Sequence, residues 1–213
     1  MNTLTKYWHT SKALAKTAIK LMLRKGVFAS YSQRGEDIIA LAQLRGVRGI
    51  YVDVGAYHPV LYSNTYALYR LGWSGIVIDP NITLRPLYTV FRPRDRFIAC
   101  GIGKVETKQT YYAFTDGSYN TFDADSVDML LASSRAQKLL SKRVVIVRPL
   151  SDVLKENNVT HIDLLNIDTE GLDYIVLISH NWSILPRVIV IEDHDFNPDQ
   201  PRASAIYTFL CDK

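Results

Sequence analysis

The sequence predicts an α/β fold, a parallel β-sheet covered by helices on both faces. Three observations predict it. From residue 32 onward, short apolar runs alternate with helical stretches, the pattern of a parallel sheet whose crossovers are helices. Three of those runs end on acids: Ile78-Asp79, Ile167-Asp168 and Ile191-Glu192. Open α/β sheets bind ligands beyond the carboxyl ends of their strands. Third, the first run, Ile50–Val54, holds Asp53 inside it and stops at a tight Gly55-Ala56 turn. A carboxylate inside a core strand is either a displaced turn-former or the first strand of a ligand site.

Taken in order, residues 3 to 25 read as an amphipathic helix, with Leu4, Trp8, Ala15, Ile19 and Met22 on one stripe. Thr5, His9, Lys12, Lys16 and Lys20 make a polar, mostly basic stripe, and Gly26 is a stop. A second helix starts near Ser32, an N-cap, and runs to Leu44. Strands are expected at Ile50–Val54, Ile76–Ile78, Phe97–Cys100, Ile162–Ile167 and Val188–Ile191. Helices are expected near Ser63–Leu71, Ile82–Phe91, Leu172–Ser179 and Ala203–Cys211. Strand candidates Gln109–Phe114 and Val144–Arg148 break this rhythm, with a polar, helical stretch from Asp116 to Lys142 between them. Together they read as a small β insertion near residues 109–148 that walls the site. The organisation is a basic N-terminal helix, residues 1–28, and one domain, residues 29–213.

Composition is that of an ordinary soluble domain, with 47% apolar and 22% charged residues. No apolar run reaches membrane-spanning length, and the N-terminus lacks the compact apolar block of a signal peptide. Cys100 and Cys211 are the only cysteines and lie far apart, which points to a cytoplasmic protein without a disulfide framework. The net charge of +4 is unevenly spread. Six of the 25 basic residues fall in residues 1 to 30, where there are no acids. The rest holds 19 basic against 21 acidic residues, a net of −2. A nucleic-acid-binding body would carry its basic patch on the fold itself, so nucleic acid is not the expected partner. The leading stripe suits packing on the domain, a peripheral contact with the inner membrane face, or a partner interface.

The ligand follows from what the first loop lacks. Asp79 ends the second strand, where an acid can accept both hydroxyls of a ribose. A dinucleotide would also need the G-x-G-x-x-G turn that brings backbone onto a pyrophosphate. Here the loop is Gly55-Ala56-Tyr57-His58-Pro59, with one glycine, bulky residues and a proline without an amide donor. A nucleoside without phosphates fits better than NAD, and S-adenosylmethionine is such a molecule.

The residues also resemble the FkbM family of S-adenosylmethionine-dependent methyltransferases. The resemblance rests on Tyr31-Ser32-Gln33-Arg34-Gly35-Glu36-Asp37, on Val52-Asp53-Val54-Gly55-Ala56-Tyr57-His58-Pro59 with Ser63-Asn64-Thr65, and on Gly72-Trp73-Ser74-Gly75 through Ile78-Asp79-Pro80-Asn81. Arg92-Pro93-Arg94-Asp95, Gly101-Ile102-Gly103, Asn120-Thr121-Phe122 and Ile162-Asp163-Leu164-Leu165 with Ile167-Asp168-Thr169-Glu170-Gly171 follow in order. It implies a Rossmann-like class I methyltransferase sheet. Asp53, Gly55 and Ala56 would line the methionine end of the cofactor, the glycine allowing close approach. Asp79 would hold the ribose, with Pro80, Asn81, Gly101 and Ile102 bordering the adenine. Gln33 and Glu36 would cover the cofactor from the N-terminal side or cap a helix. Asn64 would sit by the first loop or act as a cap. Such sheets close with an antiparallel hairpin after the fifth strand; here that hairpin has no sequence after Lys213, so the domain reads as C-terminally truncated.

The reaction expected is transfer of a methyl group to a hydroxyl, which needs a base within hydrogen-bond reach. The candidates are His194, Asp168 and Glu170, with Glu192 and Asp195 nearby; His194 has the most suitable unperturbed pKa. His58 is a second histidine for the role, or it shapes its loop. No tight ligand spacing marks a metal site, although Asp168, Glu192 and His194 offer suitable donor types. The resemblance suggests a sugar or polyol acceptor, on a glycan or a secondary metabolite, and the basic leading helix would suit a lipid-linked one. The rivals are a non-catalytic S-adenosylmethionine-binding scaffold and a nucleotide-sugar or NAD enzyme. A homo-oligomer is compatible with the sequence.

Overall fold

The structure, a computed structural model, describes residues 30–44, 48–132 and 138–213. The expected helix over residues 3 to 25 lies outside the described residues.

Five strands form the main sheet: β1 (Ile50–Val54), β2 (Ser74–Ile78), β3 (Arg96–Ile98), β7 (Leu164–Ile167) and β8 (Val188–Ile191). Their order is β3-β2-β1-β7-β8 and every pairing is parallel. The chain builds outward from β1 in one direction and then returns to its other side. The order therefore reverses between β1 and β7, and a crevice opens beyond their carboxyl ends.

Side chains alternate across each strand, so the sheet separates two cores. Val52, Val54, Ile76, Ile78, Leu165 and Ile167 face one side, packed under α5 (Leu150–Glu156), α6 (Asp173–Ser179) and α7 (Ala205–Cys211). Tyr51, Val77 and Leu164 face the other, under α1 (Glu36–Gln43), α2 (Tyr66–Arg70) and α3 (Arg85–Phe91). Helices thus cover both faces, and the fold is the expected Rossmann-like α/β architecture. Leu164, Leu165, Ile167 and Leu177 are fully buried, each stabilising the fold by roughly 1.5–3 kcal/mol relative to exposure.

The insertion is a second, three-stranded sheet of order β4-β6-β5, built from β4 (Gly101–Ile102), β5 (Thr107–Phe114) and β6 (Leu139–Arg148). A 3-10 turn, Gly117–Tyr119, and α4 (Ala124–Ala132) lie between β5 and β6.

Several boundaries differ from the sequence reading. The single strand expected at Phe97–Cys100 is two short strands in different sheets, because the chain changes partner from β2 to β6 after Ile98. β6 begins at Leu139 rather than Val144, since β5 pairs with it over its whole length. The helix expected from Ser63 begins at Tyr66, because Ser63 Oγ accepts the Tyr66 N–H at 3.1 Å and holds the preceding residues in a turn. Ser32 is not the residue next to α1, which follows Gly35 in the left-handed region; its hydroxyl still accepts the Gly35 N–H at 3.1 Å. No helix among the described residues is long and apolar enough to cross a membrane.

Candidate active site

The first loop leaves β1 through Gly55, whose φ of +79° suits glycine. A Cβ there would overlap the Asp168 carbonyl oxygen and lie 2.7 Å from its carbonyl carbon. The missing side chain therefore makes room for the end of β7. The Gly55 and Ala56 N–H groups both donate to Ile78 O, at 3.0 and 3.2 Å. The next one, Tyr57 N–H, donates to Asp79 Oδ2 at 3.0 Å. Three successive loop amides are thus spent inside the protein.

Asp79 Oδ1 accepts a further N–H, from Asn81, at 2.7 Å. The carboxyl is buried, and burial pushes its pKa up to about 6; the two backbone N–H bonds oppose the rise and nearby Asp53 adds to it. Each Asp79 oxygen takes one backbone donor and keeps lone-pair capacity for another.

Asp53 itself points away from solvent. It is 2% exposed, on the same face of β1 as Tyr51. One oxygen accepts the Thr65 hydroxyl, and the other accepts Asn166 Nδ2 at 2.8 Å. Thr65 Oγ1 in turn accepts Arg92 Nη2 at 2.9 Å. Arg92 is fully buried among the rings of Tyr51, Tyr69 and Tyr88, 5.2–5.5 Å from their centroids. Its Nε bonds Asp95 Oδ2 at 2.5 Å, and its Nη1 donates to Ser63 Oγ at 3.2 Å. Asp95 also accepts the Tyr51 hydroxyl at 2.6 Å and the Gly75 N–H at 3.0 Å. A buried cation thus lies beneath the first loop, tied to it through Thr65. Burial still drives the Asp53 pKa upward, against the pull of Arg92.

Above this floor lies a cavity of about 850 Å³. Gly55, Asp79 and Pro80 line one part, Cys100, Gly101 and Ile102 the next, and Asp168, Thr169 and Glu170 the opposite wall. The insertion supplies a roof. The Asn120 Oδ1 accepts the Phe114 N–H at 2.8 Å, and Thr121 pairs with Tyr112 through two backbone bonds at 2.9 and 3.1 Å. This strap puts Phe122 against Gly101, where a Cβ would lie 2.8 Å from the ring, and Gly117 equally close to the Tyr57 ring.

Asp168 directly follows β7 and lines the cavity. Among the described residues, its Oδ2 accepts only a long bond from Asn64 Nδ2, at 3.4 Å. Burial first, then the Glu192 and Glu170 charges, push its pKa up to about 7. Burial and Glu192 also raise the Glu170 pKa, with His194 opposing. His194 Nε2 sits 3.2 Å from Glu192 Oε2. The ligand atoms of Glu170, Glu192 and His194 lie within 4.8 Å of one another, a grouping that their spacing in sequence conceals.

Of the residues singled out in the sequence, Gln33, Gly55, Asp79, Pro80, Gly101, Ile102, Asp168 and Glu170 line the cavity. The others lie behind the wall or outside it. Glu36 accepts the Arg34 N–H at 2.9 Å, ahead of α1. Asn64 bridges Asn166 and Asp168, at 3.1 and 3.4 Å. The buried Ala56 gives its carbonyl to Tyr88 Oη at 2.8 Å. Asn81 Oδ1 accepts the Thr83 N–H at 3.2 Å and caps the 3-10 turn Ile82–Leu84. His194 is an exposed side chain resting on Glu192. His58 Nδ1 accepts the Val60 and Leu61 N–H groups, at 3.1 and 3.0 Å, so this histidine shapes its loop. Tyr57 of the first loop lies in the wall with Tyr111 and Asp116, which the sequence did not single out, and Thr65, Arg92 and Asp95, quoted only within motifs, form the buried chain below it.

No curated protein and no solved structure matches this chain. A model of the methyltransferase FkbM domain matches residues 53–213, from Asp53 in β1 through the roof, the Asp168 wall and α7. The match takes in most of the sequence and nearly all of the cavity wall, and on it the chain belongs to the FkbM methyltransferase family.

Proposed function

We propose that this methyltransferase uses S-adenosylmethionine and methylates a hydroxyl of a sugar or polyol, on a glycan or a secondary metabolite. The observation that carries the cofactor assignment is the state of the first loop. Its three amides are consumed by Ile78 O and Asp79. Among the described residues, no lysine, arginine or histidine lines the cavity. A pyrophosphate would find neither the amide nest nor the cation that such groups need. A nucleoside with a positive charge and no phosphate suits both facts. Asp79 would take the ribose hydroxyls. The base would lie further along the same direction, toward Cys100, Gly101 and Ile102 under Phe122. The amino-acid end would lie near Gly55.

When bound, S-adenosylmethionine supplies a methyl group activated by a sulfonium. The chain supplies position and a proton acceptor. With a pKa of about 7, Asp168 is poised to take a hydroxyl proton near neutral pH. Asn64, bonded to Asn166 and Asp168, orients that carboxylate from behind. The strap at Asn120–Phe122 and the Tyr57 ring limit water on the roof side.

The test is ligand-induced thermal stabilisation with S-adenosylmethionine, S-adenosylhomocysteine, NAD and UDP-glucose. A ligand at about 100 times its Kd stabilises by roughly 2.7 kcal/mol. The two adenosyl compounds should raise Tm by several degrees and the phosphate-bearing ones should not. Stabilisation by NAD alone would overturn the assignment.

A further inference from the structure

We infer that the outer face of the β5–β6 ribbon is a membrane-docking surface, and that its partner is a bilayer carrying anionic headgroups.

The register separates the two faces of the ribbon. β5 and β6 pair antiparallel, with Lys108 opposite Ile146, Thr110 opposite Val144 and Tyr112 opposite Lys142. Side chains alternate along each strand, so these pairs share one face, and Gln109, Tyr111 and Ala113 share the other. Gln109 and Tyr111 line the cavity, so theirs is the inner face. Tyr111, Ala113 and Val147 are buried there. The outer positions are not covered. Leu140 is 65% exposed, Val144 70% and Ile146 47%, and Val105, just before β5, is 66% exposed.

Single exposed apolar residues are ordinary, but a contiguous group edged by charge marks a surface that meets something. A sheet with one face on a core normally turns polar residues outward. β6 departs from that rule: Val144-Val145-Ile146-Val147 is apolar on both sides of the strand.

Charge selects the occupant. Lys108 and Lys142 stand on the outer face, and Lys142 Nζ lies 5.2 Å from the centroid of the Tyr112 ring. Lys104 and Lys138 are exposed at the two ends of the ribbon. β5 and β6 contain no acid. Glu106, which precedes β5, is held by Arg148 Nε at 3.3 Å. A second copy seated face to face would bring lysines together with no unpaired acid on these strands to meet them. An anionic bilayer supplies the missing negative charge at its headgroups, where lysine heads reach, and its acyl boundary takes the valine and isoleucine side chains. The same two strands then wall the cavity with one face and rest on lipid with the other.

The experiment is co-sedimentation of the full chain with vesicles, without cofactor, so that its result does not depend on methyl transfer. One set of vesicles is phosphatidylcholine alone, and the other is phosphatidylcholine and phosphatidylglycerol in equal parts. The parent should bind the mixed vesicles at least about tenfold more tightly, because each lysine near an anionic surface adds to the attraction, and the advantage should shrink at about 0.5 M salt. The pair Val144→Ser with Ile146→Ser and the pair Lys108→Ser with Lys142→Ser should each weaken binding to the mixed vesicles by about tenfold or more. These side chains are exposed, so circular dichroism should show both variants folded with Tm close to the parent. Binding by the valine–isoleucine variant equal to that of the parent overturns the proposal, because the contact then lies elsewhere in the chain. Equal binding to the two kinds of vesicle, or to neither, overturns it as well. A parent that is dimeric by light scattering, ignores vesicles and becomes monomeric in Val144→Ser with Ile146→Ser also overturns it and assigns the face to a second copy.

Discussion

Replacing Arg92 by methionine tests whether the buried cation holds the first loop in place. The side chain has no exposure, and neither does its partner carboxylate on Asp95. The substitution keeps most of the volume and removes the bonds to Asp95, Thr65 and Ser63. Asp95 retains the Tyr51 hydroxyl and the Gly75 N–H, but loses its countercharge. Removing one member of a buried ion pair costs about 3–5 kcal/mol. In a domain of this size each kcal/mol shifts Tm by roughly 2–4 °C. Thermal unfolding of the apo protein, followed by circular dichroism, should therefore fall by about 6–20 °C. Adding Asp95→Asn should recover part of the loss, since no orphaned charge remains; the coupling between the two changes should be at least about 1 kcal/mol. A single variant within 3 °C of the parent, or two strictly additive effects, would refute the reasoning.

Asp79→Asn should weaken S-adenosylhomocysteine by at least tenfold in calorimetry, because each hydrogen bond to a charged group contributes about 1.5–3 kcal/mol. Its effect on apo stability runs the other way with pH. The folded carboxyl keeps its proton up to about pH 6, against the unfolded value of 3.8. Its stabilising contribution is thus complete below about pH 4 and is lost as pH rises through 6, and the asparagine variant should show a flatter melting profile over that window. Asp168→Asn should lower kcat by about 10²–10⁴ with cofactor affinity within threefold of the parent. In the parent, the rate should rise with pH through about 7 as this carboxyl ionises; a parent profile flat from pH 5.5 to 8 would exclude it as the base. Gly55→Ala combines a positive φ with overlap on Asp168 O, so soluble yield or Tm should fall sharply, the φ alone costing about 1–2 kcal/mol.

The sheet and the crevice were legible in the sequence because they depend on local signals. Apolar runs ending in acids mark strands and their carboxyl ends, and Asp79 and Asp168 do reach the cavity from those ends. Arg92 was not legible as a core residue. A charged group just past a helix reads as a solvated turn, and only the closing of Tyr51, Tyr69 and Tyr88, distant in sequence, buries it. Asp53 has the same explanation: its face of β1 meets Thr65 and Asn166, which no periodicity announces. His194 looked like the best base by its intrinsic pKa, yet its side chain lies outside the cavity on Glu192. Gly55 was read as a place for cofactor approach; it does line the cavity, and its missing side chain also makes room for the Asp168 backbone after β7. The split of Phe97–Cys100 was hidden because an apolar run does not say where a strand changes partner.

That change of partner has a consequence for engineering. Beyond Ile98 the chain leaves the main sheet, and it returns only after Arg148, where α5 begins. The roof and the floor beneath the expected base are therefore carried on a cassette with two joints, and neither joint lies in the β2-β1-β7 ladder that carries Asp79, Gly55 and Asp168. Segments exchanged between residues 104 and 146, clear of Cys100 and Ile102, which pack in the core with Val54 and Ile78, should alter what the cavity accepts while the strands that deliver the reacting groups keep their register. The shape of the pocket and the placement of its chemistry are, in this chain, separately inheritable.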